Sequence, residues 1–216
     1  TSFEIDFDKK KNSKIIQLYD HTVNNILFLK IIAKYFRRLI TFRTTINNFT
    51  YSILNYINFL KFINKKNVIL NKYRVVKKIR NHNDINLEKI FQKINNNKNL
   101  LKIDIEGSEY EIIDDIISHS SKIKMLIVEF HWINKKKKLF IKSIKKLKNK
   151  FDIIHLHANN YRSLKNNEDI FDVIEITMVN KNTNQFRKQF RVNFPIKKLD
   201  YECFPNHKKL SFSFKD

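Results

Sequence analysis

Leu100–Ile117 reads LLKIDIEGSEYEIIDDII, and the rest of the chain is organised around it. Leu100, Leu101, Ile103 and Ile105 form an apolar run broken only by Lys102 and Asp104, the pattern of a short, largely buried strand. Carboxylates arrive where that strand should end, at Asp104, Glu106 and Glu109. Between them stands Gly107, the only glycine in the chain. A sole glycine at a strand-to-helix corner marks a backbone position that needs positive φ or a close approach. Tyr110, Ile112, Ile113, Ile116 and Ile117 then recur at helical spacing, with Glu109 and Glu111 where a helix dipole favours acids. Glu109 and Glu111 are equally readable as ordinary helix-start acids, but Asp104 is not. A charge within an apolar strand is costly unless it meets water, a partner or a ligand.

The same design recurs along the chain. Lys14–Asp20 (KIIQLYD) is an apolar run tipped by an acid and followed by His21. Lys124–Trp132 (KMLIVEFHW) carries Glu129 and His131 at period two. Phe151–Asn160 (FDIIHLHANN) puts His155 and His157 on one face and ends in Asn159 and Asn160. Ile170–Val179 has no helix after it and reads as an edge or antiparallel strand. Helical patterns lie between these runs. One covers residues 24–64 with a break at 41–50, and another covers 135–150 with Leu139, Phe140, Ile144 and Leu147 inward. A short one over 85–94 is capped by Asp84. Residues 2–8 fit a strand end or a first helical turn, 67–77 fit a further strand, and 210–214 have strand character. Alternation of this kind predicts an α/β sheet with residues 14–20, 100–105, 124–131 and 151–158 as neighbouring, mainly parallel strands. Their polar tips would then share one edge, where open α/β sheets bind ligands.

Composition narrows the classes. The 216 residues include 19 Phe and 42% hydrophobic residues, enough for a core, and neither repeat nor linker divides them; residues 1–216 are expected to form one domain. The single cysteine, Cys203, excludes an internal disulfide framework and any cysteine metal cluster, and fits a reducing, cytoplasmic location. A net charge of +22 suggests nucleic acid or an anionic surface. However, Lys, Asn and Ile abound while Gly and Pro nearly vanish, as AT-rich coding would produce, and the basic residues are scattered. No specific nucleic-acid partner is expected. The runs Lys135–Lys138 and Lys142–Lys150 read as a solvated helix face. Residues 26–40 are apolar but broken by Lys30, Lys34, Arg37 and Arg38, so they do not span a membrane; core packing is the expectation for them, with a membrane-surface role as the alternative. The N-terminus lacks the basic-then-apolar form of a secretory leader.

LLKIDIEGSEYEII with VEFHW about twenty residues later resembles the core of FkbM-type methyltransferases, which use S-adenosyl-L-methionine on a Rossmann-like sheet. SFEIDF followed by IIQLYDHTV resembles the first helix and second strand of one branch, and HANNY followed by VIEIT resembles its last two strands. The resemblance runs from Ser2 to Phe214, with a helical insertion at about 24–66. It implies a Rossmann-like methyltransferase sheet with helices on both faces and O-methylation of a sugar or small-metabolite hydroxyl. It also implies roles: Asp20 for the cofactor ribose, His21 near the adenine, and Asp104 and Glu106 beside the methionine moiety or acceptor hydroxyl. Glu129, His131 and His157 would close the acceptor site, a histidine serving as general base. A carboxylate–histidine metal site is the rival use of these groups, and the resemblance assigns no metal. The family's glycine-rich loop after the first strand has no counterpart here, so that strand and loop are expected upstream of Thr1. A non-catalytic basic binding protein on the same fold, contacting RNA or anionic lipid, is the alternative.

Overall fold

The computed structural model describes residues 2–11, 15–159, 171–183, 193–196, 200 and 212–213. The chain divides into two compact units, residues 1–75 with 79–85 and residues 76–78 with 86–216.

In the first unit, residues 2–8 belong to a helix, α1 (Ser2–Lys11). Its Asp8 is buried and accepts hydrogen bonds from Lys65 Nζ (2.7 Å) and Asn67 Nδ2 (3.0 Å). Strand β1 (Ile16–Tyr19) pairs in parallel with β2 (Val68–Asn71), Ile16 opposite Val68. Between them run α2 (Asn25–Ile40) and α3 (Ile46–Ile63). Both start on side-chain caps: Asn24 accepts from the Leu27 amide and Thr45 from that of Asn48, satisfying donors the first turn leaves open. Phe28 stacks on Tyr56 and Phe59 of α3, with centroids 5.1 and 4.6 Å away.

Core packing of residues 26–40 is corrected by the structure: α2 buries no residue. Its spacing carries two apolar stripes. Phe28, Ile32, Tyr35 and Leu39 are half-buried, while Ile26, Leu29, Phe36 and Ile40 are exposed. The first stripe packs against α3; of the second, Phe36 meets Phe49 of α3 at 5.7 Å, while Ile26, Leu29 and Ile40 stay exposed.

A second small parallel pair joins β3 (Arg74–Val75) to β4 (Asp84–Ile85). Asp84 therefore does not cap the following helix. Its buried carboxylate accepts from Arg74 Nε (3.0 Å) and from the amides of Arg80 (3.0 Å) and Asn81 (3.1 Å).

In the second unit α4 (Leu87–Gln92) is capped by Asn86 instead. The central sheet follows, built from β5 (Asn99–Ile103), β6 (Ile123–Phe130), β7 (Phe151–Ala158) and β8 (Ile174–Asn180) in the order β5-β6-β8-β7. Between these strands lie α5 (Ile113–Ser118) and α6 (Lys137–Leu147). β5 and β6 are parallel; β8 runs antiparallel to both neighbours. Two expectations change. β8 is antiparallel, as read, but it lies inside the sheet, not at its edge. And β1 pairs with β2 in a separate two-stranded sheet, so the four polar-tipped strands are not all hydrogen-bonded neighbours. Hydrophobic alternation fixes which face of a strand is buried; it carries no information about which strand lies alongside. The 2–residue strands β9 (Asn193–Phe194) and β10 (Phe212–Ser213) pair antiparallel; the rest of the expected strand at 210–214, like Asn160 and Cys203, lies outside the described residues.

The sheet's two faces differ. Ile103, Leu126, Val128, Phe130, Ile174, Ile176 and Met178 are buried on one. Phe140 of α6 meets Phe130 edge-on at 5.3 Å there. Inward positions of α6 are Phe140, Ser143 and Leu147; Leu139, expected inward, is exposed. The opposite face carries half-buried polar groups in register: Glu129 opposite Glu175, and Glu175 opposite His157. Lys102 pairs with Glu175 at 3.4 Å.

Candidate functional site

Because β5 and β6 are parallel, their carboxyl ends lie side by side, and both are followed by functional side chains. Asp104 and Glu106 leave β5; His131 leaves β6. His131 Nε2 lies 3.8 Å from Asp104 Oδ1 and 3.7 Å from Glu106 Oε2. Its Nδ1 lies 2.9 Å from Glu109 Oε1, the geometry of an Nδ1–H donated to that carboxylate.

Glu109 was expected to be a helix-start acid or a site group. It is fully buried, within a 3-10 turn at Glu109–Glu111 that precedes α5. Its Oε1 also accepts from the Gly107 amide (3.0 Å) and the Ile105 amide (3.2 Å), so one oxygen gathers the loop and the histidine together. Burial works to raise its carboxyl pKa, but hydrogen bonds from His131 and Gly107 outweigh this and hold it below the usual range. Burial likewise works to lower the His131 pKa; the Glu109 hydrogen bond, followed by the charges of Glu109, Glu129 and Glu106, raises it to about 9. Burial, reinforced by the Asp104 charge, raises the pKa of Glu129, against a hydrogen bond from Asn159 Nδ2 at 3.2 Å.

Gly107 meets both requirements read from its isolation. Its φ is +101°, and a Cβ there would fall 2.6 Å from Trp132 Cδ1. Glu106 (φ +53°) and Trp132 (φ +59°) share the left-handed region that side chains disfavour. Further bonds lock the corner: Lys136 Nζ donates to Gly107 O (2.7 Å) and Tyr110 Oη to His131 O (2.7 Å). Burial, with the charges of Glu109 and Asp172, keeps the Tyr110 phenol protonated beyond its ordinary range.

The structure thus brings together Asp104, Glu106 and His131, with the Glu129 carboxylate within electrostatic reach. His157 belongs to a different cluster. His155 Nε2 and His157 Nδ1 lie 2.7 and 3.2 Å from the same Asp200 Oδ1, and Asp200 Oδ2 accepts from the Ile196 amide (2.6 Å). Asp20 is in the first unit, at the carboxyl end of β1. Its Oδ1 accepts from the Thr22 amide (2.7 Å), Thr22 Oγ1 (2.6 Å) and the Val23 amide (3.2 Å); His21 beside it is exposed.

The model of the methyltransferase FkbM domain matches residues 38–176, more than half of the chain. The chain belongs to the FkbM methyltransferase family. No curated protein and no solved structure matches it. The matched segment contains Asp104, Glu106, Glu109, Glu129, His131 and His157, whereas Asp20 and His21 precede it. Sequence reasoning did not single out the positioning roles of Glu109, Lys136 and Asp200. An acid two residues beyond the sole glycine was a usable signal for the first. Lys136 was hidden within a run of lysines, and nothing local marks Asp200 as a partner of β7.

Proposed function

We propose that this FkbM-family methyltransferase is S-adenosylmethionine-dependent and methylates a hydroxyl of a sugar or another small metabolite. The observation that carries the reading is the acid–histidine cluster at the carboxyl ends of two parallel strands, in a chain of this family. The residues fit the cofactor's chemistry. Beside its methionine moiety the acceptor hydroxyl calls for carboxylates, which Asp104 and Glu106 offer at 41% and 82% exposure. Its ribose diol calls for an acceptor at a strand tip, which Asp20 offers with the carboxylate oxygen its own turn does not use. His21 is assigned to the adenine.

S-adenosylmethionine supplies a methyl group on a positively charged sulfur. The chain's own task is to hold the acceptor hydroxyl and take up its proton. The pKa of His131, raised to about 9, lies above the range that suits a general base at neutral pH, and its Nδ1 is committed to Glu109. His157 is engaged with Asp200. Glu129, whose burial raises its proton affinity, fits that task best, with Glu106 against the acceptor. Calorimetry tests the reading. The protein should bind S-adenosylmethionine at micromolar strength, near −8 kcal/mol. Asp20→Ala should weaken that binding by about 1.5–3 kcal/mol. Absence of binding overturns the reading.

One observation favours the alternative partner, an anionic lipid surface. The exposed stripe of α2 is flanked by Lys30, Lys34, Arg37 and Arg38, and no acidic residue occurs between Asp20 and Asp84. Co-sedimentation with anionic but not neutral vesicles, abolished by Phe36→Asp, would support it.

A further inference from the structure

We infer that Asp104, Glu106 and His131 form a binding site for a divalent cation. Their donor atoms, Oδ1, Oε2 and Nε2, all lie within 4.8 Å of one another. Donors around one first-row divalent ion stand about 3–3.5 Å apart for metal–ligand lengths of about 2.0–2.2 Å. The present spacings of 3.7 and 3.8 Å from Nε2 need only a small closure. Glu106 is free to supply it, because its side chain is 82% exposed.

The histidine is the independent observation that separates this from a surface patch of acids. Its side chain is nine-tenths buried, and Nε2 faces the two carboxylates without a hydrogen bond to any described residue. Its other nitrogen is committed to the fully buried Glu109. That is the arrangement by which metal-binding histidines are held: a carboxylate takes Nδ1–H, fixes the ring's orientation and leaves the Nε2 lone pair for the ion. The charge balance points the same way. In a chain of net charge +22, four carboxylates surround this single imidazole, and a dication would offset their mutual repulsion. Two oxygens and one imidazole nitrogen suit a first-row divalent ion such as Mn²⁺ better than Ca²⁺, which takes about six to eight oxygens.

The inference deepens the methyltransferase reading and, for its catalytic meaning, rests on it. A hydroxyl oxygen of the acceptor occupying an open position on the cation would lose its proton more readily, so the acceptor class becomes one able to ligate a cation, such as a saccharide diol.

The test uses Mn²⁺ alone on the 216-residue chain, followed by electron paramagnetic resonance and calorimetry, with no S-adenosylmethionine. One saturable site is expected. Glu106→Gln, Asp104→Asn and His131→Gln should each weaken it at least tenfold. Glu109→Gln, which leaves all three donors in place, should weaken it 10- to 100-fold. Glu106 is exposed, so its variant folds and keeps the test decisive should a buried variant fail to. No saturable binding at millimolar Mn²⁺ overturns the inference. So does binding that Asp104→Asn abolishes but His131→Gln leaves unchanged, which would mark a patch of surface acids. Mn²⁺ binding without S-adenosylmethionine binding would sink the methyltransferase reading and leave the cation site standing; the reverse pair of results would do the opposite.

Discussion

Two clusters in the second unit are made of the same groups and are built to opposite ends. At the tips of β5 and β6, a buried carboxylate, Glu109, holds one nitrogen of His131 and turns the other toward two exposed acids. On β7, a buried carboxylate, Asp200, takes both His155 and His157 on one oxygen and the Ile196 amide on the other. The first arrangement leaves three donor atoms within 4.8 Å of one another. The second uses the carboxylate's oxygens within the protein and links Ile196 and Asp200 to β7. A buried histidine–carboxylate pair is therefore not by itself a functional site; what the second ring nitrogen faces decides.

Substitutions at the two carboxylates press hardest on that contrast. Glu109→Ala strands the Ile105 and Gly107 amides and leaves His131 unpaired, and should cost about 3–5 kcal/mol in denaturant unfolding. A loss below about 0.5 kcal/mol would show that Glu109 does not organise the corner. Gly107→Ala places a methyl on Trp132 at a positive φ and should cost about 1–3 kcal/mol. Unfolding measurements unchanged by this substitution would mean that the Trp132 ring yields at no cost.

Asp200→Asn should destabilise by about 1–3 kcal/mol while leaving Mn²⁺ affinity at the other cluster unchanged. A parallel loss of that affinity would merge the two clusters and break the comparison. Asp84 supplies a third buried carboxylate, with no histidine. The Arg80 amide, followed by Arg74 and the Asn81 amide, holds its pKa below the usual value against the effect of burial. The group is ionised and stabilising above its unfolded pKa, and that stability fades as pH falls through the lower folded value. Urea midpoints between pH 2 and 6 should therefore drop less steeply in Asp84→Asn. Identical acid slopes would refute the assignment.

The smallest effect on stability belongs to Glu106→Gln, within about 0.5 kcal/mol, because the side chain is exposed. Methyl transfer should nevertheless fall at least tenfold, a loss of about 1.4 kcal/mol in transition-state stabilisation. Turnover unaffected by this change would remove Glu106 from the site.

The sequence by itself determined a good deal. Apolar runs at period two marked β5, β6, β7 and β8, and the break between α2 and α3 was visible in the loss of helical periodicity. The lone glycine announced a strained corner, and polar residues at the strand tips singled out Asp104, Glu106 and His131. These are local signals, carried by the spacing of side chains along a few turns or pleats. The tertiary structure alone decided the rest: that β8 is interior, that β1 pairs elsewhere, that α2 buries no residue, and that His131 and His157 serve different clusters. Each depends on a partner distant in sequence, as Glu109 is 22 residues from His131 and Asp200 is 43 from His157. Periodicity records which face of an element is apolar, but the partner that face or tip meets is chosen by the packing of the folded chain.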